Sequence, residues 1–376
     1  MKLAGKRILL SCNTSWGLVH FRGRLIRRLQ QEGAKVAALA PEDAHSERLA
    51  GLVESYEAFA MDAKGTNPLR DCRTLLDYRQ CFQRIWPDLI LQYTIKPILY
   101  GSLAARSLGI PVLNVVTGLG TGFLQGKVLQ WVVQTLYRGA LHGNRPVLFV
   151  NAEDRDYFLR HRLIRKEQAN LLPGEGVDLD RFRWSEVPIR ERDELRVVYC
   201  GRFLADKGIR ELVEAVRQVR EAGVNLKLDL VGFSETTNPT GIPEAELGQW
   251  RDHPGIHVHP PTDEIAPFLR RAHAAVLPSY REGLPLQVLE AFAIGRPVLA
   301  TDVAGCRELV EEGRNGWSCQ PRSSAALAER LREMAAESTA ELQRKGLAGR
   351  EKVVSGYGDE AVWQRYALVL GKSDGE

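Results

Sequence analysis

The sequence predicts an α/β protein made of two Rossmann-like halves joined by a polar linker. Three observations lead to this fold class. The chain has 376 residues, more than one compact domain usually holds. Short apolar runs alternate with amphipathic helical stretches, which is typical of βαβ units and a parallel sheet. The alternation stops at a polar, charged stretch, 184–194, and then restarts.

The predicted strands are short apolar runs bounded by turn residues, and the predicted helices carry apolar residues every three or four positions. In the first half we predict strands at 7–12, 35–40, 56–61, 88–93, 111–116 and 146–150, and helices at 20–32, 68–85, 98–108 and 127–141. In the second half we predict strands at 196–200, 227–231, 274–278 and 297–301, and helices at 209–221, 263–271, 286–294 and 325–336.

The predicted domains are 1–184 and 195–357. They are followed by 358–376, a C-terminal helix and tail with apolar residues at helical spacing that can pack on either domain. Ligands are expected in the cleft between the two halves, at the carboxyl ends of the strands.

Composition bounds the class of protein. Hydrophobic residues make up 44% and charged residues 26%, which is typical of a soluble globular protein. The formal net charge of +4 conceals 27 Lys and Arg against 18 Asp and Glu in residues 1–190. A basic first half suggests contact with an anionic group, such as phosphate, a lipid headgroup or nucleic acid. Uneven surface decoration explains the asymmetry equally well.

The six cysteines are scattered and form no Cys-x-x-Cys pair, so neither a zinc site nor a disulfide framework is indicated. The apolar run near the N-terminus is too short for a signal peptide, and no stretch approaches the roughly 20 apolar residues of a membrane span. We therefore expect a cytoplasmic protein, either soluble or lying on a membrane surface.

The most specific local pattern in the sequence is a pair of glutamates. Glu282 lies in a loop after a predicted strand, and Glu290 lies inside the helix that this loop opens. The amino end of a helix favours an anionic ligand, and carboxylate oxygens accept hydrogen bonds from vicinal sugar hydroxyls. The spacing alone is equally compatible with one helix carboxylate and one surface glutamate.

A basic segment follows the first strand of the second half. Gly201 permits close backbone approach, Arg202 offers a planar fork and Lys207 a point charge, a combination suited to two phosphates. Taken alone, a solvated basic loop explains the segment slightly better. Together with Glu282 and Glu290, the segment becomes much more specific.

These segments resemble the retaining glycosyltransferases of family four, which have the two-domain GT-B fold, and the resemblance covers essentially the whole chain. The resemblance implies that Arg202 and Lys207 bind the donor diphosphate. It also implies that Glu282 and the backbone of Gly283 and Leu284 hold the donor sugar, and that Glu290 holds the ribose. The sequence departs from many relatives at Pro285, where glycine is common, and so lacks one backbone donor there. The resemblance is carried by Gly201-Arg202 with Lys207-Gly208, Gly176-Val177-Asp178 with Arg181-Phe182, residues 278–283, Glu282 with Glu290, and residues 297–305.

The segments 93–105 and 116–121 resemble a subgroup of this family. Its members add N-acetylated hexosamines or related sugars to polyprenyl-diphosphate-linked acceptors in bacterial surface-glycan assembly. The resemblance therefore implies a hexosyltransferase that retains configuration and moves a hexose or N-acetylhexosamine from a UDP-sugar to a lipid-linked saccharide. The UDP-sugar is a co-substrate; no cofactor, metal or nucleic-acid partner is expected. Two alternatives stay open: a sugar-nucleotide epimerase or hydrolase on the same fold, and a non-catalytic nucleotide-sugar-binding protein.

Candidates for the acceptor side lie in the first half. Gly17 matches the family's glycine-containing loop near the donor phosphates, and His20 and Arg22 on the following helix can reach the acceptor, although a helix-face histidine is more often structural. Lys96 is a candidate binder of the acceptor diphosphate, or simply a residue at the start of the next helix.

Thr117 and Gly118 begin a glycine-rich turn without the Lys-Ser/Thr ending of a P-loop, so we expect it to line the cleft rather than to bind ATP.

Two Asp-x-Asp triplets, at 154–156 and 178–180, are interpreted as structural rather than metal-binding. The apolar stretch 123–138, with Trp131 and the arginines of the first helix, suits docking on an anionic bilayer. A buried helix of the first domain is the alternative for its apolar part.

Overall fold

The computed structural model describes residues 3–62, 65, 67–119, 126–143, 145–234 and 238–372. The chain forms two compact units, each with its own internal contacts. Unit 1 comprises Met1–Glu175 and Glu360–Glu376, and unit 2 comprises Gly176–Asp359. These limits differ from the predicted domains 1–184 and 195–357, because unit 2 begins earlier and the C-terminal helix belongs to unit 1.

Unit 1 contains, within its described residues, a seven-stranded parallel sheet in the order β3-β2-β1-β4-β5-β6-β7. The six predicted strands are present within a few residues of their expected bounds, and β7 was missed. The strands are β1 Arg7–Ser11, β2 Lys35–Ala40, β3 Ser55–Ala58, β4 Leu89–Tyr93, β5 Val112–Val116, β6 Val147–Phe149 and β7 Ala169–Leu171.

The helices of unit 1 connect these strands and cover the sheet. The first of them starts earlier than predicted because the Thr14 hydroxyl accepts a hydrogen bond from Gly17 N and caps the helix. The predicted helix at 98–108 begins as a π-helical turn, Pro97–Gly101. The helices are α1 Ser15–Gln31, α2 Ser46–Ala50, α3 Pro68–Ile85, α4 Ser102–Ser107, α5 Lys127–Ala140 and α6 Ala152–Arg160.

The C-terminal helix, Asp359–Lys372, packs on the rest of unit 1. Tyr366 is 2% exposed, and its hydroxyl lies 3.2 Å from that of Tyr93 at the end of β4. The guanidinium of Arg28 lies 5.0 Å from the centre of the Trp363 ring. The sequence left open on which domain this helix packs, and in the structure it packs on the first.

Unit 2 contains, within its described residues, a six-stranded parallel sheet in the order β10-β9-β8-β11-β12-β13. The four predicted strands are present; β10 and β13 were missed. The strands are β8 Leu195–Arg202, β9 Leu226–Phe233, β10 Ile256–His259, β11 Ala274–Leu277, β12 Val298–Thr301 and β13 Gly316–Cys319. The helices are α7 Ile209–Glu221, α8 Glu244–Arg251, α9 Ala266–Arg271, α10 Leu286–Ile294, α11 Ala304–Leu309, α12 Ser324–Ala336 and α13 Thr339–Gly356, and the C-terminal helix is α14.

The crossovers of unit 2 run in two directions from the centre of its sheet. From β8 the chain passes through α7 to β9 on one side, and from β11 it passes through α10 to β12 on the other. Right-handed crossovers therefore place α7 and α10 on opposite faces of the sheet. In agreement, α7 packs with α12, whereas α10 packs with α9, α11 and α13.

The polar stretch 184–194 is not a free linker, which corrects the prediction. The guanidinium of Arg296 is fully buried and donates to the carbonyl oxygens of Ser185 and Glu186, at 2.8 and 2.9 Å. Arg190 donates to carbonyl oxygens at the end of α12. The stretch is thus fixed to the rest of unit 2 in two ways: its carbonyl oxygens accept from the buried Arg296, and its own Arg190 donates to α12.

Candidate active site

The predicted donor residues lie at the point of unit 2 where the strand order reverses. Strands β8 and β11 are neighbours, yet the chain leaves them toward opposite edges of the sheet. In open α/β sheets, ligands bind at the carboxyl ends of the strands beside such a reversal. Arg202 ends β8, and Glu282 lies in the loop after β11.

Gly208 holds these two loops together. Its φ of +68° is left-handed, and a Cβ atom there would overlap the carbonyl oxygen of Pro278. On the same loops, Tyr280 N donates to the carbonyl oxygen of Asp206 at 2.9 Å. Only glycine meets both demands at position 208 without strain, so the loop after β8 is fixed against the loop after β11.

Lys207 and Glu282 form an ion pair between these two loops. Lys207 Nζ lies 2.6 Å from Glu282 Oε1, and the two side chains are 22% and 12% exposed. The backbone of Glu282 is also held, because Gly305 N donates to its carbonyl oxygen at 3.3 Å. The predicted phosphate-binding lysine and the predicted sugar-binding carboxylate are thus in direct contact.

One buried tyrosine, Tyr199, lies near both Arg202 and Glu282. The Tyr199 hydroxyl donates to the carbonyl oxygen of Arg202 at 2.8 Å. Burial raises the pKa of Tyr199 well above its usual value, the charge of Glu282 raises the pKa further, and the charge of Arg202 opposes this. Tyr199 was not singled out in the sequence, because an apolar strand pattern does not distinguish a tyrosine that orders a site from one that fills a core.

Gly201 allows a close approach at the end of β8. A Cβ atom there would lie 3.0 Å from the Tyr199 hydroxyl oxygen. The neighbouring strand approaches equally closely, because a Cβ atom at Gly232 would overlap the carbonyl oxygen of Gly201. The backbone at Gly201 is therefore packed against Tyr199 and Gly232.

Glu290 lies in α10, near enough to the end of β8 for its charge to act on Cys200. Burial raises the pKa of Cys200 well above its usual value, and the charge of Glu290 raises it further. The start of α10 has no side-chain cap, since Pro285 occupies the N-cap position. Gly283 and Leu284 come directly before Pro285. Gly305 of α11 packs closely on Gly283, because a Cβ atom at position 305 would overlap the Gly283 carbonyl oxygen. The amino end of α10 thus lies beside Glu282, as the sequence predicts.

The acceptor candidates lie in unit 1, where the strand order also reverses, between β1 and β4. Gly17 lies in the first turn of α1, where a Cβ atom would be 2.9 Å from the Thr14 hydroxyl oxygen and 3.2 Å from Cys12 Sγ. His20 Nδ1 lies 3.0 Å from the Trp16 carbonyl oxygen, and its ring centre lies 4.9 Å from that of His45.

Arg22 points into unit 1. Its side chain is 4% exposed, its guanidinium lies 4.0 Å from the centre of the Tyr93 ring, and it forms an ion pair with Glu175. The structure therefore uses this arginine to join α1, β4 and residue 175 within unit 1.

Lys96 follows β4 and is 9% exposed. Its Nζ donates to Asp71 Oδ1 at 2.6 Å, and the Tyr100 hydroxyl donates to Asp71 Oδ2 at 2.8 Å. Asp71 was not singled out in the sequence, because it lies 25 residues before Lys96 and no local pattern joins them. Tyr100 was noted only as part of the segment 93–105.

Thr117 and Gly118 come directly after β5, and Gly118 has a φ of +149°. The rest of the glycine-rich turn, 120–122, lies outside the described residues, which resume at 126. The same gap removes 123–125 from the stretch expected to dock on membranes.

The described part of that stretch, α5, is amphipathic. Tyr137 and Val133 face the core at 1% and 9% exposure, while Val128 and Trp131 are 79% and 66% exposed. Among the described residues, no helix is long and apolar enough to cross a membrane.

Both Asp-x-Asp triplets take part in local backbone hydrogen bonding. Asp154 is 1% exposed, receives a hydrogen bond from Asn151 Nδ2 at 2.9 Å and lies in the first turn of α6. Asp178 Oδ1 accepts from the backbone N–H groups of Asp180 and Arg181, at 3.0 and 2.9 Å. Each first aspartate thus stabilises a turn or a helix start.

Two Rossmann-like units, each built on a parallel sheet, are the architecture of GT-B glycosyltransferases. Residues 194–337 match the family described as "Glycosyl transferases group 1", and residues 7–151 match "Glycosyl transferase 4-like". The chain belongs to this glycosyltransferase family and has the GT-B fold.

Curated relatives and solved structures agree with this assignment. The chain is 34% identical to the "Putative teichuronic acid biosynthesis glycosyltransferase TuaC" of Bacillus subtilis, over 83% of each chain. It is 22% identical to the N,N'-diacetylbacillosaminyl-diphospho-undecaprenol alpha-1,3-N-acetylgalactosaminyltransferase of Campylobacter jejuni, over 93% of this chain and 94% of the relative. Sucrose-phosphate synthase from Thermosynechococcus elongatus shares the fold with a TM-score of 0.78 at 18% identity, over 98% of each chain. Anabaena HepE, solved with UDP-glucose, gives a TM-score of 0.75 at 17% identity, over 98% of this chain and 100% of HepE.

Proposed function

We propose that this glycosyltransferase moves a hexose or N-acetylhexosamine from a UDP-sugar to a lipid-linked saccharide in bacterial surface polysaccharide biosynthesis, with retention of configuration. The observation that carries the proposal is the Lys207–Glu282 ion pair beside Arg202, at the strand-order reversal of unit 2. The names of TuaC and of the Campylobacter jejuni relative support the polysaccharide context and the lipid-linked acceptor.

The donor would bind along the carboxyl edge of unit 2. Arg202 and Lys207 supply two positive charges for the diphosphate, and the uncapped amino end of α10 supplies N–H groups and the positive end of the helix dipole. Glu282 would accept hydrogen bonds from the sugar hydroxyls. Glu290, whose charge acts on Cys200 at the end of β8, would accept from the ribose hydroxyls.

The reaction would proceed on one face of the sugar. The bond from the anomeric carbon to the diphosphate oxygen breaks with its electron pair on the diphosphate, and the acceptor oxygen bonds to the same face. The acceptor proton passes to a phosphate oxygen of the leaving group. Arg202 and Lys207 would stabilise the charge that develops on the diphosphate. Because these two cations perform the neutralisation that a divalent metal performs elsewhere, we propose that turnover needs no metal and continues in EDTA.

Unit 1 would bind the acceptor at a membrane surface. Trp131 and Val128 are exposed on α5 of this unit. Exposed aromatic and apolar side chains on an amphipathic helix suit the headgroup region of a bilayer. The protein would then associate peripherally with the inner face of the cell membrane.

The decisive experiment incubates the protein with a panel of UDP- and GDP-sugars and follows nucleotide release with and without polyprenyl-diphosphate-linked saccharide. Release that depends on acceptor, with a product of the same anomeric configuration as the donor, supports the proposal. Equal release without acceptor indicates a hydrolase, conversion of the donor alone indicates an epimerase, and binding without release indicates a non-catalytic protein. Any of these three results would reject the transferase assignment.

A further inference from the structure

Three unusual features meet where β4 ends in unit 1. Thr94 has a left-handed φ of +68°, which is rare for a β-branched residue. Directly after it, the backbone widens into the π-helical turn Pro97–Gly101. Between these two lies Lys96, a lysine that is 9% exposed. Left-handed non-glycine residues and π-turns are both concentrated at functional sites, and β4 borders the strand-order reversal of its sheet.

The ammonium group of Lys96 is held from a different element. Asp71 lies in the first turn of α3, and its Oδ1 accepts from Lys96 Nζ at 2.6 Å. Its other oxygen accepts from the Tyr100 hydroxyl at 2.8 Å. The side chains of Lys96 and Asp71 are only 10% and 14% exposed. One carboxylate therefore fixes both a cation and a hydroxyl after β4.

A buried ion pair such as Lys96 with Asp71 is an unfavourable way merely to connect two elements of the fold. Removing two charges from water is unfavourable, and apolar residues of similar size hold helices together at least as well. A buried lysine–carboxylate pair does serve to aim the ammonium group, as in protein kinases, where a glutamate holds the lysine that contacts the nucleotide phosphates. The strained Thr94 and the widened turn place Lys96 where Asp71 can reach it.

We propose that Asp71 is a positioning residue that, together with Tyr100, aims Lys96 at a phosphate group of a substrate bound by unit 1. This inference deepens the proposed function and rests on it, because the substrates of that reaction supply the phosphate. Two sources share this chemistry: the diphosphate of the lipid-linked acceptor and the diphosphate of the sugar donor.

The test compares Lys96→Met, Asp71→Asn and the double variant in the full-length protein. Each single variant raises the KM of the phosphate-bearing substrate by about tenfold, since a charge-assisted contact is lost or misdirected. In the double variant, Asp71→Asn adds less than about twofold to the effect of Lys96→Met, because it acts through that lysine. Tyr100→Phe keeps the ring and changes the same KM in the same direction by a smaller factor.

Two arms distinguish the source of the phosphate. If the acceptor supplies it, the KM rises for the diphosphate-linked saccharide, but not for the same saccharide on an uncharged lipid, and the Kd of UDP is unchanged. If the donor supplies it, the Kd of UDP rises with either acceptor. Asp77→Asn, on the same helix as Asp71, is the matched control and changes neither constant.

Two results would overturn the inference. One is that neither the KM of the acceptor nor the Kd of UDP changes in a variant that keeps the wild-type melting temperature. The other is that the effects of Asp71→Asn and Lys96→Met multiply fully, which indicates separate structural roles. Failure of the proposed function is distinct from both, because the wild-type protein itself would then transfer no sugar.

Discussion

Lys207 Nζ and Glu282 Oε1 lie 2.6 Å apart, so the two residues form a single ion pair within the candidate donor site. They come from loops after neighbouring strands, β8 and β11, and those loops are locked by Gly208. A ligand that takes up the ammonium group of Lys207 must therefore also change the surroundings of Glu282. The two residues are expected to act together in donor binding and turnover.

Lys207→Ala should lower donor turnover by at least about 30-fold, because a charged contact to the diphosphate contributes roughly 2 kcal/mol or more. The measurement is kcat/KM for the donor at saturating acceptor. Lys352 of α13 offers a matched control, since its Nζ forms an ion pair with Glu311 at 2.7 Å, outside the loops after β8 and β11. Lys352→Ala should leave turnover unchanged. Turnover of Lys207→Ala within about twofold of wild type would refute the phosphate assignment.

The effects of Lys207→Met and Glu282→Gln should not add. Residues in direct contact typically show coupling energies of about 0.5–3 kcal/mol, and this pair is expected near the upper half of that range. The measurement is a double-mutant cycle on kcat/KM for the donor. Strict additivity would show that the contact between the two side chains has no part in turnover.

Gly208→Ala should destabilise unit 2 by at least about 3 kcal/mol, since it combines a left-handed backbone with steric overlap on Pro278. Gly223 isolates the backbone contribution: its φ is +88°, and a Cβ atom there would meet nothing within 4 Å. Gly223→Ala should therefore cost only about 1 kcal/mol. Urea unfolding of both variants measures the difference, and equal losses would contradict the close approach of the two loops.

Stability should fall below neutral pH through His273. This residue is 4% exposed, and burial, helped by the nearby charge of Arg190, lowers its pKa to about 4. The unfolded chain, with a histidine pKa of about 6.5, binds a proton in the window where the folded chain does not. Stability is therefore unaffected above about pH 6.5 and is lost progressively as the pH falls toward 4.

His273→Asn keeps an acceptor for the Arg196 N–H group, which lies 2.8 Å from His273 Nδ1, but cannot be protonated. Between pH 7 and pH 4.5 this variant should lose roughly 2 kcal/mol less stability than the wild type does. Urea unfolding at the two pH values provides the comparison. His142→Asn, at an exposed position of unit 1, is the control and should follow the wild type.

Much of the fold was accessible from the sequence because buried parallel strands are apolar runs and their helices are amphipathic. The helices α3, α7 and α10 were predicted with the bounds observed. The missed strands β7, β10 and β13 have three or four residues and carry polar side chains, as in Ile256–His259, so the apolar-run criterion passes over them. The stretch 184–194 was misread because its partner, Arg296, is distant in sequence.

Only part of the candidate site could be predicted from the sequence, for a similar reason. Arg202, Lys207 and Glu282 could be found because they follow predicted strands, and topology brings the ends of such strands together. Their direct contact, and the roles of Tyr199 and Asp71, depend on which side chains meet across elements. Sequence order carries no such information, since Lys207 and Glu282 are separated by 75 positions.

The burial of Tyr366 against Tyr93 has a consequence for biosynthesis. Unit 2 is continuous from Gly176 to Asp359, whereas unit 1 needs residues from both ends of the chain. As the chain leaves the ribosome, the first 175 residues emerge without the helix that covers Tyr93 and Arg28, and that helix is translated after unit 2. Unit 2 can therefore finish folding before unit 1. Until α14 is translated, the surface of residues 1–175 that this helix covers stays exposed and can be bound by chaperones.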